Sequence, residues 1–444
     1  IRGFGIRGFG IRGFGIRGFG IRGFGKGKSF CMRKFIVIVV VALVVLCGVG
    51  FYVYKTNDVN ETYENNEIKN DSNMLSMMLE TSAGSGEYQK TSASSWPTEG
   101  YTFNETLSKC EKGSSLSWDS TKNTVVMMGN NSDKCYVYFD LIPPVYLADH
   151  IKSLYTTQGA NNLYLHDSTL TNGAKDNSYR YAGPSETTNN FVCFGYDSTD
   201  GSCPTDNLYR IIGVFDGEVK LIKYDYAKST LLGTDGDYAR IYNGDGTNKG
   251  QNSKEEIGGY YWNNNTRNNT WSESRLNTIN LNKNYINKID ENGTKWSDKI
   301  SIHTWKVGGN TYNNIAGQTA PNAYQNEINK PATDKTVNAK VGLMYVSDYG
   351  YAASSSSWST VLNSYNNANV TANNWMYMGL YEWTLAPRTD ASNYAFYVNY
   401  TGFVNGYNGN VDYNGFAARP VLYLKSTTIY AGGSGDAAKP ILVK

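Results

Sequence analysis

The sequence predicts an α+β protein, with a mainly antiparallel sheet and two helices in its large C-terminal domain. An N-terminal transmembrane helix and a small disulfide-stapled all-β module precede that domain. Three observations carry this reading. Residues Phe35 to Tyr54 are uncharged throughout, and four cysteines, Cys110, Cys135, Cys193 and Cys203, lie beyond them. Asp216-Gly217 separates two apolar runs at hairpin spacing, whereas Leu147, Ile151, Leu154 and Tyr155 recur at helical spacing.

Composition narrows the class further. A chain of 444 residues predicts two or three domains. Charged residues make up 18 %, and Gly (46), Tyr (36) and about 50 Asn fill the gap. That mixture excludes a coiled coil, and 14 % aromatic residues exclude a wholly disordered chain. It suits a β-rich extracellular protein. The net charge of +2 hides a split: residues 1–31 are basic without a single acid, while from Lys55 onward acidic residues outnumber basic ones. Polyanion binding needs clustered Lys and Arg, so a nucleic-acid partner is not expected.

In chain order, residues 1–31 contain five copies of Ile-Arg-Gly-Phe-Gly. They read as an upstream tandem repeat carried into frame, or a short cytoplasmic tail, and support no functional argument. Residues 32–55 read as a signal anchor. A helix over Phe35–Tyr54 is about 30 Å long at ~1.5 Å per residue, which matches a bilayer core. A cleaved signal peptide has a shorter apolar stretch. Arg33 and Lys34 before the helix, with Asp58, Glu61 and Glu64 after it, place the N-terminus in the cytoplasm and the bulk outside. Residues 56–96 read as a flexible linker in which Met74–Leu79 could form one short helix.

Residues 97–141 read as the small β module, with a hairpin over Ser115–Met128 and a strand from Cys135. A module this short has too little core, so a Cys110–Cys135 bridge would staple it. Four cysteines allow three pairings, and the local one, with Cys193–Cys203, needs the least loop closure. Zinc spacing is absent from the sequence.

Residues 142–430 form the large domain, followed by a tail over 431–444. A second helix is expected to start near Thr270, with Glu273 completing a capping box and Leu276, Ile279, Ile286 and Ile289 on its buried face. Further strands fit Lys340–Val346, Tyr394–Tyr400 and Ala418–Leu424.

Two segments near the end carry a family resemblance. Gly379-Leu380-Tyr381-Glu382-Trp383-Thr384 is similar to the G-x-[VY]-x-E-W-T stretch of formylglycine-generating-enzyme-type C-type-lectin folds. Gly415-Phe416-Ala417-Ala418-Arg419-Pro420-Val421-Leu422 resembles their closing strand, with extra residues between Phe416 and Arg419. The resemblance implies a C-type-lectin-like domain over roughly 205–425, on a surface protein of a low-GC bacterium. The family's oxidases bind copper through a late cysteine pair, and this sequence has no Cys after Cys203. From residue chemistry alone, Trp383 is expected in the core, Glu382 on nearby backbone, and Arg419 in a buried ion pair or at a ligand.

Just before the closing strand, Tyr394, Tyr397, Asn399, Tyr400, Asn405, Tyr407, Asn408 and Tyr413 crowd together. Tyr offers rigid contact area and Asn adaptable hydrogen bonds, which is paratope chemistry. The position is similar to the diversified stretch of retroelement variable proteins with the same fold. Asn263–Asn269 shows that Asn richness also occurs elsewhere.

Other chemistry is sparse. His150 reads as packed beside the first helix, His166-Asp167 is a single adjacent pair, and His303 sits in an expected strand before Trp305; hydrolase, metalloprotease and phosphate-loop motifs are absent from the sequence. Asp235, Asp237 and Asp245 offer hard oxygen donors that could take Ca²⁺, although a solvated turn is the expectation and no cofactor is required. The sequence therefore points to a single-pass, surface-displayed adhesin or lectin-like protein that binds a glycan or protein without catalysis. A cell-envelope glycan hydrolase and a purely structural wall protein are the alternatives.

Overall fold

A computed structural model describes residues 61–62, 75–97, 99–130, 132–198, 200–242 and 257–444. The repeat leader 1–31, the expected membrane helix 32–55, most of the first part of the linker and Asp245 lie outside the described residues. Among the described residues, no helix is long and apolar enough to cross a membrane. The architecture is α+β with mostly antiparallel sheets and two disulfides. It divides into two units at Pro143/Pro144.

The smaller unit holds the predicted hairpin, Ser115–Asp119 against Thr124–Met128, turned through a left-handed Asn123. A second sheet centres on Cys135–Leu141. Its neighbours are Tyr101–Phe103, Lys109–Cys110 and, in parallel, Leu75–Glu80. That last strand corrects two expectations. Leu75–Leu79 lies in a strand and not in a helix, and residues 75–90 belong to the module rather than to a flexible linker. The reason is burial: Met77 joins Trp96, Leu116, Val125, Val137 and Phe139 in the core, which the 97–141 segment could not close alone. Cys110–Cys135 bridges paired neighbouring strands of this unit.

In the larger unit, Leu208–Phe215 and Glu218–Lys223 form the expected hairpin, with Asp216 (φ 48°) and Gly217 (φ 85°) both left-handed as a type I′ turn requires. The central antiparallel sheet runs Val341–Gly342, Val421–Leu424, Glu218–Lys223, Leu208–Phe215, Tyr179–Tyr181, Leu163–Leu165, with Phe191–Cys193 added beside Leu208–Phe215. Both hairpin strands are buried almost end to end, because the surrounding segments cover both faces. Cys193–Cys203 closes the second local bridge.

The opening helix, Leu147–Ser153, buries Leu147, Ala148 and Ile151 as its period predicts. The second helix differs from expectation. Trp271–Glu273 is a single 3₁₀ turn, Leu276–Asn284 winds with π spacing, and only Tyr285–Ile289 is α-helical. The Thr270 side chain caps nothing, and the Glu273 carboxylate accepts from Asn268 Nδ2 (3.2 Å) instead. Asp237, distant in sequence, takes the Arg275 and Leu276 N–H groups at 2.8 and 3.0 Å, which moves the helix start to that point. Leu276 and Ile289 are buried; Ile279 and Ile286 are half-buried.

Expected strands are present but shorter. Lys340–Val346 reduces to Val341–Gly342, because Val346 opens the helix Val346–Ala352. Tyr394–Tyr400 becomes Ala395–Val398, and Ala418–Leu424 begins only after Pro420, at Val421. Several further short helices join the two expected. Residues 431–444 are no tail: Ile441 bridges Val192 in parallel and Val443 bridges Tyr430.

Candidate binding concavity

The site is built on a small antiparallel sheet, Glu382–Pro387, Ala395–Val398 and Val404–Asn405. Side chains alternate across the first strand. Glu382 faces Arg419, which grips it with Nε (2.7 Å) and Nη2 (2.9 Å) while Nη2 also donates to the Met376 carbonyl. Both side chains are buried. Trp383 is in the core, with its indole N–H on the Tyr260 carbonyl. Backbone bonds from Trp383 to Ala417 and from Ala417 to Tyr381 lash this strand to the segment before Arg419. The Glu382 partner is thus Arg419 and not the nearby backbone.

Tyr381 shares the Trp383 side of the chain. Its ring stacks on Phe416 (5.0 Å, 15° between planes) and meets Tyr400 and Tyr397 at 5.2 and 5.9 Å. These four rings floor a concavity of about 860 Å³. Its remaining wall is Arg240, Ile241 and Tyr242 from the neighbouring hairpin, and its rim is Asn399, Asn405, Asn408 and Asn414. The lining contains no carboxylate, and Arg240, an exposed residue, is its one charge among the described residues.

Five of the eight sequence-predicted contact residues meet here: Tyr397, Asn399, Tyr400, Asn405 and Asn408. Tyr397 is a wall residue more than a contact, since it is buried and its hydroxyl donates to the Tyr407 carbonyl. Burial raises its phenol pKa, so it remains a neutral donor. Asn399 and Asn405 use their side-chain oxygens to accept from Thr401 and Tyr407 N–H in local turns. Hydrogen bonds from their Nδ2 groups to other described residues are absent, which leaves donors at the rim.

The other three predicted residues do not join the concavity. Tyr394 and Tyr407 cluster with Arg388, whose guanidinium lies 5.6 and 4.8 Å from their rings, and Tyr407 packs on Tyr312. Tyr413 projects outward, 81 % exposed. The strand's two-residue alternation and the turn at Asn405–Asn408 send them elsewhere. Conversely, Tyr381, Phe416, Tyr242, Arg240 and Asn414 were not selected from sequence. Tyr381 and Phe416 were within reach, two and three residues from Trp383 and Arg419 in the two motifs. Tyr242 follows Tyr238–Ile241, a strand hidden by Gly- and Asp-rich surroundings.

The aspartate cluster is committed elsewhere. Asp237 accepts three backbone N–H groups, from Asn264, Arg275 and Leu276, and Asp235 accepts from Asn284 Nδ2. Burial nonetheless raises the Asp237 pKa. Groups of three potential metal ligands are absent among the described residues. The histidines are packed. His150 stacks on Tyr430 and His303 on Tyr423, with centroids 3.6 and 3.8 Å apart. His166 is fully buried, and burial holds its pKa well below the usual range.

No known protein family, curated protein or solved structure matches this chain.

Proposed function

We propose that the chain is a single-pass, surface-displayed binding protein whose larger unit, of C-type-lectin-like type, captures a glycan or protein ligand without catalysis. The observation that carries this is the concavity: four aromatic rings under a rim of asparagine amides. Flat apolar faces stack on sugar rings or side chains, and amide donors orient hydroxyl and carbonyl groups. Among the described residues the lining offers no carboxylate pair of the kind that glycoside hydrolysis needs. Exposure outside the cell is supported by both disulfides. The apolar stretch Phe35–Tyr54 supports the anchor. The C-type-lectin-like assignment rests on the sequence resemblance of the two motif segments, which meet through Glu382 and Arg419.

The test is binding of residues 75–444 to an array of glycans and surface proteins, beside the variant Tyr381→Ser/Tyr400→Ser. Loss of binding in that variant, with Tyr413→Ser unaffected, is the expected result. Binding that survives the double change moves the site elsewhere.

A further inference from the structure

Away from the concavity, Lys220 on the central hairpin meets Asp348 in the first turn of the Val346–Ala352 helix. Nζ and Oδ2 are 2.5 Å apart, and the side chains are 1 % and 2 % exposed. The rings of Tyr345, Tyr423, Phe215 and Trp305 surround the amine, with centroids 4.5, 5.2, 5.5 and 5.8 Å from Nζ. Glu327 is buried at the same helix start, where it accepts from the Val346 and Ser347 N–H groups. Its charge acts on Lys220, and the Asp348 charge acts on it. Arg180 Nη1 lies 4.0 Å from the other Asp348 oxygen, with its own charge matched mainly by Asp176. A cavity of about 290 Å³ opens beside Lys220 and Asp348.

We propose that Lys220 and Asp348 condense into an intramolecular isopeptide bond. In an enclosure of aromatic rings two buried opposite charges are costly to desolvate, and moving one proton from ammonium to carboxylate removes both. The products of that transfer are the reactive pair, a free amine and an uncharged carboxylic acid. The Lys220 nitrogen attacks Cγ of Asp348, the C–N bond forms, and one C–O bond breaks. One water leaves into the adjoining cavity, carrying one proton from the amine and one from the acid. No oxidant or activated donor enters the balance. Arg180 stabilises charge on the oxygen that stays, and the amine proton passes to the oxygen that leaves, which Nζ already contacts. Fixed contact supplies the drive that two free groups in water lack, an effective molarity on the order of 10⁵ M or more. The bond would tie together residues 128 positions apart.

Intact-mass measurement of the full chain, followed by peptide mapping, tests this directly. The wild type is expected to be lighter by one water than its sequence with two disulfides. Mapping should yield a branched peptide joining Lys220 to Asp348, uncut by trypsin at Lys220. Lys220→Arg should keep the full mass, whereas a water lost as succinimide at Asp216-Gly217 would persist in that variant. A wild-type chain of full mass, cut by trypsin after Lys220, overturns the proposal and leaves an ion pair only. So does a water loss that Lys220→Arg retains.

Discussion

Arg419 and Glu382 form a two-pronged buried ion pair, with Nε and Nη2 each on one carboxylate oxygen. The pair joins the start of one strand to the segment leading into the last strand of the central sheet. The floor of the concavity is assembled across that junction: Tyr381 precedes Glu382, and Phe416 lies three residues before Arg419. The ion pair therefore touches no part of the lining, yet it fixes the spacing of two of its rings.

Breaking one side of this pair should be more damaging than removing both. Glu382→Gln leaves Arg419 charged and buried, at a cost of about 3–5 kcal/mol. The double replacement Glu382→Leu/Arg419→Met should recover a large part of that loss. Urea denaturation of the three proteins checks it; equal losses in the single and double variants would refute it.

The concavity predicts an uneven response to tyrosine changes. Removing Tyr381 or Tyr400 deletes a ring from the floor and should weaken ligand binding by about 1–2 kcal/mol, close to tenfold. Tyr394→Ser and Tyr413→Ser should leave affinity within about twofold. Titration with the array's best ligand separates the two classes.

His303 should make the larger unit sensitive to mild acid. Burial pushes its pKa down to about 4. Glu218 stands 3.9 Å away but is partly exposed, too weak an opponent to offset burial. With a folded pKa below the unfolded value of 6.5, its contribution to stability is full above pH 6.5 and is lost as pH falls towards 4. The slope is about 1.4 kcal/mol per pH unit at most. His303→Gln should flatten the thermal stability profile across that window relative to wild type.

Asp237 is expected to act as a helix-start cap with no need of calcium. Asp237→Ala would leave the Arg275 and Leu276 N–H groups without their acceptor and cost about 2–3 kcal/mol. Added calcium should leave the melting temperature of the wild type unchanged; a rise of several degrees would restore the metal reading.

The smaller unit depends on its bridge. Cys110→Ser/Cys135→Ser opens a loop of 25 residues and should cost about 3 kcal/mol. Its melting should drop by that amount while the larger unit's transition stays in place, which calorimetry resolves.

What the sequence determined by itself were features encoded within a few residues. The Asp216-Gly217 hairpin followed from turn chemistry, the Leu147–Ser153 helix from its period, and both disulfides from loop length. Tertiary structure decided what depends on distant partners. Met74–Leu79 looks helical alone, but Met77 is drawn into a strand beside Val137 by the shared core. Thr270 and Glu273 spell a capping box, yet Asp237 outcompetes Thr270 because a buried carboxylate accepts two N–H groups at once. The contact face divides for the same reason. Composition singles out the tyrosines and asparagines of 394–413, but only the pleat and the turns decide which of them share a surface with Tyr381 and Phe416. Arg419 is readable as an ion-pair partner but Glu382 only as bound to nearby backbone, and 37 residues of chain separate them. No local rule links them; the desolvation of two opposite charges in one core does.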